Sequence, residues 1–356
     1  MTAAGSNFWR GRRVFLTGHT GFKGAWLSLW LQRVGAHVTA FSLDPPTRPG
    51  LFELARVAEG IDSRHGDIRD FAALATALNE SRASVVFHLA AQATVAKGYR
   101  DARDTFTTNL MGTLNLLDAI RDGSTVEAAV LVTSDKCYAP APDGAPLAEG
   151  APMGGRDPYS ASKSCAEIAV QSWRESFFTD TYAPRIATAR AGNVIGGGDW
   201  GEHRLLPDLA RAFAAGRSLT LRMPGAIRPW QHVLDALQGY LLLAERLAGN
   251  DGARIGRGWN FGPGAAGELS VAEVARRAAK LWGDEATCIA ATENFQKETA
   301  ALRLDASQAR AELGWQPRWD LDTSLSRTIA WYRAWAQGQD MRAASLAQLD
   351  DYLAAI

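Results

Sequence analysis

The chain has 356 residues, enough for one large domain and a smaller partner domain, and its hydrophobic content of 47% is sufficient to form a core. Its 38 Lys and Arg side chains balance 38 Asp and Glu side chains and no basic block occurs, so a nucleic-acid partner is not expected. The first residues lack the apolar core of a signal peptide and no apolar run approaches membrane-spanning length, so we expect a cytoplasmic protein with no membrane partner.

Strand-like apolar runs alternate with helical patterns through the first 135 residues. Strands are predicted within 12–18, 37–43, 61–70, 84–91 and 127–134. Helices are predicted between them at 21–35, 71–80 and 103–123. Nearly continuous apolar strands in such an alternation indicate a parallel sheet covered on both faces, with right-handed crossovers. We therefore predict an α/β fold built on a Rossmann-type doubly wound parallel sheet.

Three glycines follow the first predicted strand and open the first predicted helix. Gly18, Gly21 and Gly24 are spaced three residues apart in the stretch TGHTGFKG. Positions without a side chain let the backbone turn sharply and approach a pyrophosphate, which then lies at the helix N-terminus. Glycine-rich turns also occur for packing reasons, but this place in an alternating chain favours dinucleotide binding.

The fifth predicted strand runs into three polar residues, Ser134, Asp135 and Lys136. In one interpretation they form a solvated strand exit in which the Asp and the Lys pair with each other. In the other they are a catalytic group, because the carboxyl ends of strands in a Rossmann-type sheet face the ligand crevice. The motifs on either side of this run favour the second interpretation.

Tyr159 and Lys163 lie four residues apart, on one face of a helix that opens after Pro158. A free tyrosine has a pKa of about 10. A neighbouring ammonium and the positive ring of a nicotinamide cofactor favour the phenolate, so that Tyr159 can act as a base near neutral pH. A shift of about three units requires about 4 kcal/mol from these charges. The same pattern occurs without function on surface helices, and only its place after the glycine turn and Ser134 favours catalysis.

Beyond residue 190 the alternation loosens into segments interrupted by glycine and proline, such as 192–208 and 221–232, with shorter helices around them. Such segments suit a second domain that encloses a ligand. We predict an NAD(P)-binding Rossmann domain of residues 1–193 and 231–263, and a smaller C-terminal α/β substrate-binding domain of residues 194–230 and 264–356.

These motifs together resemble the extended short-chain dehydrogenase/reductase family, whose variant glycine spacing is G-x-x-G-x-x-G. The resemblance implies NAD as cofactor, with Asp67 facing its adenine, residues 90–92 along its middle, and Asn109 as a structural asparagine. The full set of cofactor contacts that it implies is Gly18, Thr20, Gly21, Phe22, Lys23, Gly24, Ser42, Asp44, Asp67, Ile68, Leu89, Ala90, Ala91, Gln92, Asn109, Thr133, Tyr159 and Lys163.

One departure from the family pattern concerns the end of the second strand. NAD-dependent relatives usually have an acid there to hold the adenosine ribose hydroxyls, whereas this chain has Ser42, with Asp44 two residues later. Lys23 and Arg48 are near in sequence. NAD remains the expected cofactor, and the missing acid is consistent with weak binding or with use of NADP as well.

Within that family the run TSDKCY, with GHTGFKG, GGGDW and IRPWQHVLDAL, resembles the CDP-glucose 4,6-dehydratases almost end to end. The resemblance implies conversion of CDP-glucose to CDP-4-keto-6-deoxy-glucose and water. Ser134 would bind the reacting hydroxyl and Asp135 would protonate the leaving hydroxyl. Lys136 stands where most such dehydratases have Glu, and is either the base for the C5 proton, which we slightly favour, or a cation that stabilises the enolate.

The substrate diphosphate requires cations, and arginine suits phosphate through its planar fork. Arg228 is the strongest candidate because its sequence surroundings are otherwise uncharged, while His232 is expected to be structural. The substrate-binding residues predicted from these loops and from the resemblance are Gln92, Ser134, Asn193, Arg204, Leu205, Arg228, Trp230, Gln231 and Arg303.

The same motifs are also compatible with other functions of this fold, and the resemblance implies an oligomer. Another nucleotide-sugar 4,6-dehydratase or a 4-epimerase of the same fold is the nearest alternative, and a non-catalytic NAD(P)-binding sensor is a remote one. Relatives dimerise by pairing the helix of Asn109 with that of Tyr159, which implies a homodimer or a dimer of dimers. Three widely spaced cysteines fit neither a disulfide framework nor a metal knuckle, so no metal site is expected.

Overall fold

The computed structural model describes residues 7–141, 144–283, 286–290 and 302–355. The strands within these ranges are β1 (Arg13–Thr17), β2 (His37–Ser42), β3 (Asp62–His65), β4 (Val85–His88), β5 (Ala128–Val132), β6 (Arg185–Ala191), β7 (Asn193–Ile195), β8 (Leu219–Leu221), β9 (Ile227–His232), β10 (Gly258–Phe261), β11 (Glu268–Ser270) and β12 (Cys288–Ala290).

The helices in the same ranges are α1 (Phe22–Arg33), α2 (Leu51–Leu54), α3 (Phe71–Ser81), α4 (Val95–Arg100), α5 (Ala102–Phe106), α6 (Gly112–Arg121), α7 (Pro158–Phe177), α8 (Leu205–Ala214), α9 (Val233–Leu247), α10 (Gly252–Ile255), α11 (Val271–Trp282), α12 (Leu321–Ala336) and α13 (Met341–Ala354). A π-helical turn at Thr107–Met111 joins α5 to α6, and a 3₁₀ turn at Asp135–Cys137 follows β5. None of the helices described has the length and apolar content needed to cross a membrane.

Seven of the strands form one parallel sheet in the order β3-β2-β1-β4-β5-β6-β10. The order reverses between β1 and β4, so a crevice opens at the carboxyl ends of these two strands. The predicted Rossmann-type fold is confirmed. The two smaller sheets, β11-β9-β7 and β12-β8, are built from the segments beyond residue 190.

Side chains of the central sheet alternate between two buried layers. On β1, Val14 and Leu16 pack in the layer that contains α1 and α9, whereas Phe15 packs in the layer that contains α3, α6 and α7. The strands β4 and β5 show the same alternation. Because both faces are covered, these strands carry apolar residues at successive positions, which is the pattern that the sequence shows.

The last two helices pack onto the first. The rings of Trp30 on α1 and Tyr352 on α13 meet edge to face at 5.5 Å, and Arg33 Nε lies 2.7 Å from Asp350 Oδ1. The buried layer of α1 and α9 therefore continues into α12 and α13. The predicted division into two domains stays a prediction, since residues from both parts share this layer.

Candidate active site

The glycine turn after β1 has two glycines that the protein itself requires. Gly18 has a φ of +82°, and a Cβ there would lie 2.5 Å from the backbone nitrogen of Ala90, while a Cβ on Gly24 would overlap the carbonyl oxygen of Gly18. A Cβ on Gly21 would have only the Gly18 oxygen nearby, at 3.4 Å. Packing therefore explains Gly18 and Gly24 but leaves Gly21 unexplained, and an approaching ligand is the remaining reason for its bare backbone.

The N-terminus of α1 lies directly after this turn. Gly21 is the N-cap residue, so no side chain satisfies the first helical amides, which have no partners within a helix. The open backbone at Gly21 and these amides form a cradle of the kind that binds a pyrophosphate. The residues present therefore fit a dinucleotide.

The ends of β2 and β3 frame the predicted adenosine site. The Ser42 hydroxyl lies 2.8 Å from that of Thr20, and Thr20 also donates to the Leu43 carbonyl. The Asp44 side chain is 82% exposed, 3.5 Å from His65. On the neighbouring strand, hydrogen bonds from Arg69 lower the pKa of the Asp67 carboxyl, which stays ionised.

Whether the site suits a 2′-phosphate depends on nearby cations. Arg48 pairs with Glu53 at 3.5 Å. The charges that act on Lys23 are those of Arg204, Asp135 and Asp199. Both cations thus have charged neighbours of their own within the protein, which is consistent with NAD as the cofactor.

The segment after β4 is held by Asn109. The Asn109 side chain accepts from the backbone nitrogen of Gln92 at 2.8 Å, donates to the Gln92 carbonyl, and donates to Ser162 on α7. The Gln92 carboxamide in turn bonds to Thr94 and Thr105. Asn109 thus has the structural place that the resemblance implied. The Gln92 side chain is engaged within the protein, and the substrate contact predicted for it stays a prediction.

The run after β5 folds into the crevice as the 3₁₀ turn of residues 135–137. Ser134 caps this turn by accepting from the Lys136 nitrogen at 3.2 Å, and its hydroxyl donates to Asp135 Oδ1 at 3.0 Å. Asp135 is only 3% exposed, and its Oδ2 has no hydrogen-bond partner among the described residues. Burial raises the pKa of this carboxyl, against the opposing charges of Lys136, Lys23 and Arg228. The solvated strand exit is excluded for Asp135.

Helix α7 begins as the sequence predicts and brings Tyr159 to Ser134. Asp157 caps the helix by accepting from the Ser160 nitrogen at 3.0 Å, and Pro158 occupies the first turn. Tyr159 is buried and hydrogen-bonded to Ser134. Lys163, also buried, donates to the Val132 carbonyl at 3.2 Å. The predicted side chains are thus brought together from β5 and α7.

The protonation of Tyr159 differs from the expectation. Burial raises the pKa of Tyr159 to about 12, and the hydrogen bond with Ser134 offsets this only in part. Burial lowers the pKa of Lys163 to about 8, with the nearby charge of Lys23 adding to the effect. Burial therefore keeps Tyr159 protonated at neutral pH in the chain alone. Lys163, with its pKa of about 8, still carries most of its charge at that pH, but its charge does not offset the burial of Tyr159.

The loops beyond β6 contribute cations to the same crevice. Arg204, the residue before α8, pairs through Nη1 with both oxygens of Asp199 at 3.0 and 2.9 Å, and its charge acts on Tyr159. Arg228 on β9 is buried and acts on Asp135. Arg303 pairs with Glu268 at 3.2 Å. Arg204 and Arg228 thus come to the site as predicted.

Other predicted substrate residues are placed differently. The Trp230 indole is buried in the core layer and donates to the Leu269 carbonyl at 2.9 Å, and its predicted substrate role stays a prediction. Asn193 is paired in register with Trp230 and half-buried, and Leu205 opens α8. Gln231 is buried and donates to the Phe261 carbonyl, while its Oε1 has no partner among the described residues.

His232 is structural, as expected. Its Nδ1 accepts from the Leu234 nitrogen at 3.2 Å, its Nε2 contacts Gln348, and burial lowers its pKa to about 3. Two other groups were missed by sequence reasoning. Asp199 pairs with Arg204, five residues later in the same loop, and Glu167 bonds Thr133, which lies 34 residues earlier in the chain. The Glu167 contact depends on the packing of α7 against the end of β5, so no local pattern marks it.

The chain is similar to known proteins over most of its length. Residues 15–328 match the family described as GDP-mannose 4,6 dehydratase. A CDP-glucose 4,6-dehydratase of Salmonella typhimurium is 45% identical over 353 residues, covering 98% of each chain. Among solved structures, a Streptomyces venezuelae dTDP-glucose 4,6-dehydratase with NAD bound has a TM-score of 0.75 at 25% identity, covering 93% of this chain and 99% of that one. A Stenotrophomonas maltophila UDP-glucose 4-epimerase has a TM-score of 0.79 at 24% identity, covering 92% and 99%, which shows the shared fold alone.

The family match and the curated relative each span most of the chain, and both agree with the sheet order and with the Ser134, Tyr159 and Lys163 cluster. The chain belongs to the GDP-mannose 4,6-dehydratase family, within the extended short-chain dehydrogenases/reductases.

Proposed function

We propose that this chain is an NAD-dependent CDP-glucose 4,6-dehydratase. The observation that carries the proposal is Asp135, a buried carboxyl directly beside Ser134 and its bond to Tyr159. One oxygen of this carboxyl has no hydrogen-bond partner in the part of the chain that the structure describes. An epimerase only moves a hydride and needs no acid there. A dehydratase must also expel hydroxide, which leaves far more readily as water when an acid protonates it.

The residues that would hold the dinucleotide are those of the glycine turn, the first amides of α1, Asp67 and the backbone of residues 90–92. NAD, when bound, accepts the hydrogen with its electron pair from C4 of the sugar and returns it to C6. Lys163, four residues from Tyr159 and bonded to the Val132 carbonyl, contributes positive charge at that end of the crevice.

Tyr159 and Ser134 act on the sugar 4-hydroxyl. Tyr159 takes the hydroxyl proton as base, and Ser134 already bonds to the Tyr159 oxygen, so it is in place to hold the same hydroxyl. Burial keeps water from competing for this proton. Because the protein alone raises the Tyr159 pKa to about 12, the base form depends on positive charge brought into the site.

Asp135 then acts at C6. Because burial raises its pKa, Asp135 retains its proton to a higher pH than an exposed aspartic acid does and can deliver it to the leaving 6-hydroxyl. Lys136 is half-buried and its charge acts on Asp135, so it lies beside the same reaction centre. That position serves either of its two roles, removal of the C5 proton or stabilisation of the enolate.

The cytosine nucleotide is proposed from the 45% identity with the Salmonella relative. Arg204 and Arg228, which come to the crevice, and Arg303 are the cations proposed for the diphosphate. We assign Leu205, Asn193 and Gln231 to the walls of the substrate site. Leu205 directly follows Arg204, Gln231 lies on β9 with Arg228, and Asn193 on β7 is paired in register with Trp230 of β9.

The deciding experiment incubates purified protein with CDP-, UDP-, GDP- and dTDP-glucose, each with and without added NAD. We expect a 4-keto-6-deoxy sugar, detected by its ultraviolet absorbance in alkali, from CDP-glucose and with the highest kcat/KM. Turnover of another nucleotide sugar in preference would move the proposal to that base. Formation of an epimer without the keto sugar would refute dehydration.

We also propose a homodimer, alone or as half of a tetramer, formed by the helices around Asn109 and Tyr159. Large apolar side chains that are 45–58% exposed project from these helices and from α4, namely Tyr99, Met111, Ile168 and Phe177. Ile168→Glu should convert the dimer to monomer in sedimentation velocity, whereas Tyr182→Glu, at a fully exposed site outside a helix, should not. A monomeric parental protein would contradict this assembly.

A further inference from the structure

A buried ion pair lies behind the proposed active site. Glu167 Oε2 and Arg190 Nη2 are 2.6 Å apart, with side chains only 4% and 7% exposed. Removing two such charges from water is costly, so a buried pair is a poor device for stability alone and has to be explained by what it holds.

Glu167 joins the helix of the catalytic tyrosine to the end of β5. It follows Tyr159 by eight residues and Lys163 by four, so all three share one face of α7. Its Oε1 accepts from the hydroxyl of Thr133, the residue immediately before Ser134. Its Oε2 accepts from Thr188 on β6 at 2.7 Å as well as from Arg190.

Arg190 reaches the other end of the same run. Its Nη1 donates to the Tyr138 hydroxyl at 2.6 Å, and its guanidinium lies 5.1 Å from the Tyr138 ring centre. The Tyr138 hydroxyl donates to Asn260 Oδ1 at 2.7 Å. Tyr138 directly follows the 3₁₀ turn, so the polar network touches the chain just before Ser134 and just after Cys137.

We propose that the Glu167–Arg190 pair positions Ser134, Asp135 and Lys136 by fixing both ends of this run, and that the same carboxylate sets its distance from Tyr159. The inference rests on the proposed dehydratase function. Glu167 and Arg190 touch neither substrate nor cofactor in this scheme and act through Thr133 and Tyr138.

The physical reason is that few contacts within the run hold its reacting residues. One backbone hydrogen bond of 3.2 Å closes the turn, from the Cys137 nitrogen to the Ser134 carbonyl, and the Ser134 hydroxyl accepts from the Lys136 nitrogen. From outside the run, the Cys137 carbonyl accepts from the Ser164 hydroxyl at 2.6 Å and from the Gly154 nitrogen at 2.9 Å. Acid and base must nevertheless stay aligned with two adjacent sugar carbons, and small displacements of reacting groups lower rates strongly. Anchors on both flanks supply the alignment that a short turn cannot.

The test uses three conservative variants that each remove one hydroxyl from the network. Thr133→Val and Tyr138→Phe release the two ends of the run. Thr188→Val is the matched control, because it removes a hydroxyl from the same carboxylate but lies on β6, away from the run. For each variant we would measure kcat, KM, the thermal midpoint of unfolding and the incorporation of solvent deuterium at C5 of the sugar.

We expect Thr133→Val and Tyr138→Phe to lower kcat at least about tenfold with KM changed by less than about twofold, while Thr188→Val retains kcat at a similar thermal midpoint. C5 exchange and product formation should fall together in the first two. Equal losses in all three variants would show that the network only stabilises the fold and would overturn the inference. If the parental protein does not dehydrate CDP-glucose, the proposed function fails and the positioning role, which rests on it, fails with it. If the parental protein dehydrates CDP-glucose and kcat is unchanged in Thr133→Val and Tyr138→Phe, only the inference is overturned.

Discussion

Replacing Asp135 with Asn removes the acidic proton of the carboxyl group and changes the shape of the side chain very little. The amide has the shape of the carboxyl, and its oxygen can accept the same hydrogen bond from Ser134 that Asp135 Oδ1 accepts at 3.0 Å. The side chain is 3% exposed, so water cannot readily take the place of the lost acid. The variant should therefore keep the geometry of the site while losing acid catalysis at the sugar C6.

The expected fall in kcat follows from the burial of Asp135, since water cannot readily replace the missing acid. A positioned general acid contributes about 10²–10⁴-fold in rate, which corresponds to about 2.7–5.4 kcal/mol in the activation free energy. Because no other carboxyl among the described residues is placed beside Ser134, we expect a fall in kcat of about 10³-fold. The pH profile should change as well. Burial raises the Asp135 pKa, so parental kcat should decline as the pH rises through that pKa, and the variant should lack this decline.

The assay is a single turnover followed by the absorbance of reduced nicotinamide and by product analysis. Oxidation at C4 depends on Tyr159, so the Asp135→Asn variant should accumulate the reduced cofactor and form the keto-deoxy product only slowly. Asp235→Asn is a control, as it makes the same substitution at a buried carboxyl outside the crevice. Parental product rates in Asp135→Asn, or loss of C4 oxidation together with product, would refute the assignment of Asp135 as the acid.

Three further predictions follow from the same structure. Tyr159→Phe should lower kcat by about 10³-fold or more and, unlike Asp135→Asn, should show no transient reduced nicotinamide in the same assay; a normal transient would exclude Tyr159 as the base. Gly21→Ala should fold normally but weaken NAD binding measured by calorimetry, whereas Gly24→Ala should lower the thermal midpoint, since only its Cβ would overlap the Gly18 carbonyl; equal NAD affinity in Gly21→Ala and the parent would remove the pyrophosphate from this turn. Burial raises the pKa of Asp235 to about 6, so its contribution to stability is present below the unfolded value of 3.8 and is lost as the pH rises through 6. Denaturant titrations should therefore show Asp235→Asn gaining up to about 3 kcal/mol relative to the parent between pH 4 and pH 7, and a difference independent of pH would contradict the raised pKa.

Local signals accounted for much of the fold and the core of the site. The alternation of strand and helix patterns predicts the parallel sheet, because strands buried on both faces carry mostly apolar residues at successive positions. The glycine spacing and the Tyr159–Lys163 pair each lie within a few residues, so their geometry follows from one turn or one helix. The position of Ser134 and Asp135 at the end of a strand also predicted that they lie at the crevice, without any information about distant parts of the chain.

Other features depended on packing between distant parts of the chain. Gln92 and Trp230 are predicted to bind substrate, and the sequence does not reveal that Gln92 also bonds to Thr94 and Thr105 or that Trp230 is buried in the core. The sequence of a segment does not reveal whether a given side chain faces the crevice or the core, because that depends on which strands and helices pack beside it. The high pKa of Tyr159 likewise depends on burial, which the spacing of two residues does not reveal.

The sequence by itself determined the fold class and the glycine turn, and it supplied the side chains proposed to react, because each of these is encoded by short periodic or contiguous patterns. Only the tertiary structure decided that Arg204 and Arg228 converge on the crevice from separate loops. It also decided that Glu167 and Arg190, 23 residues apart, meet behind the catalytic run. Such contacts arise when separate elements pack around a common core, so their partners are set by the fold and not by neighbours in the chain.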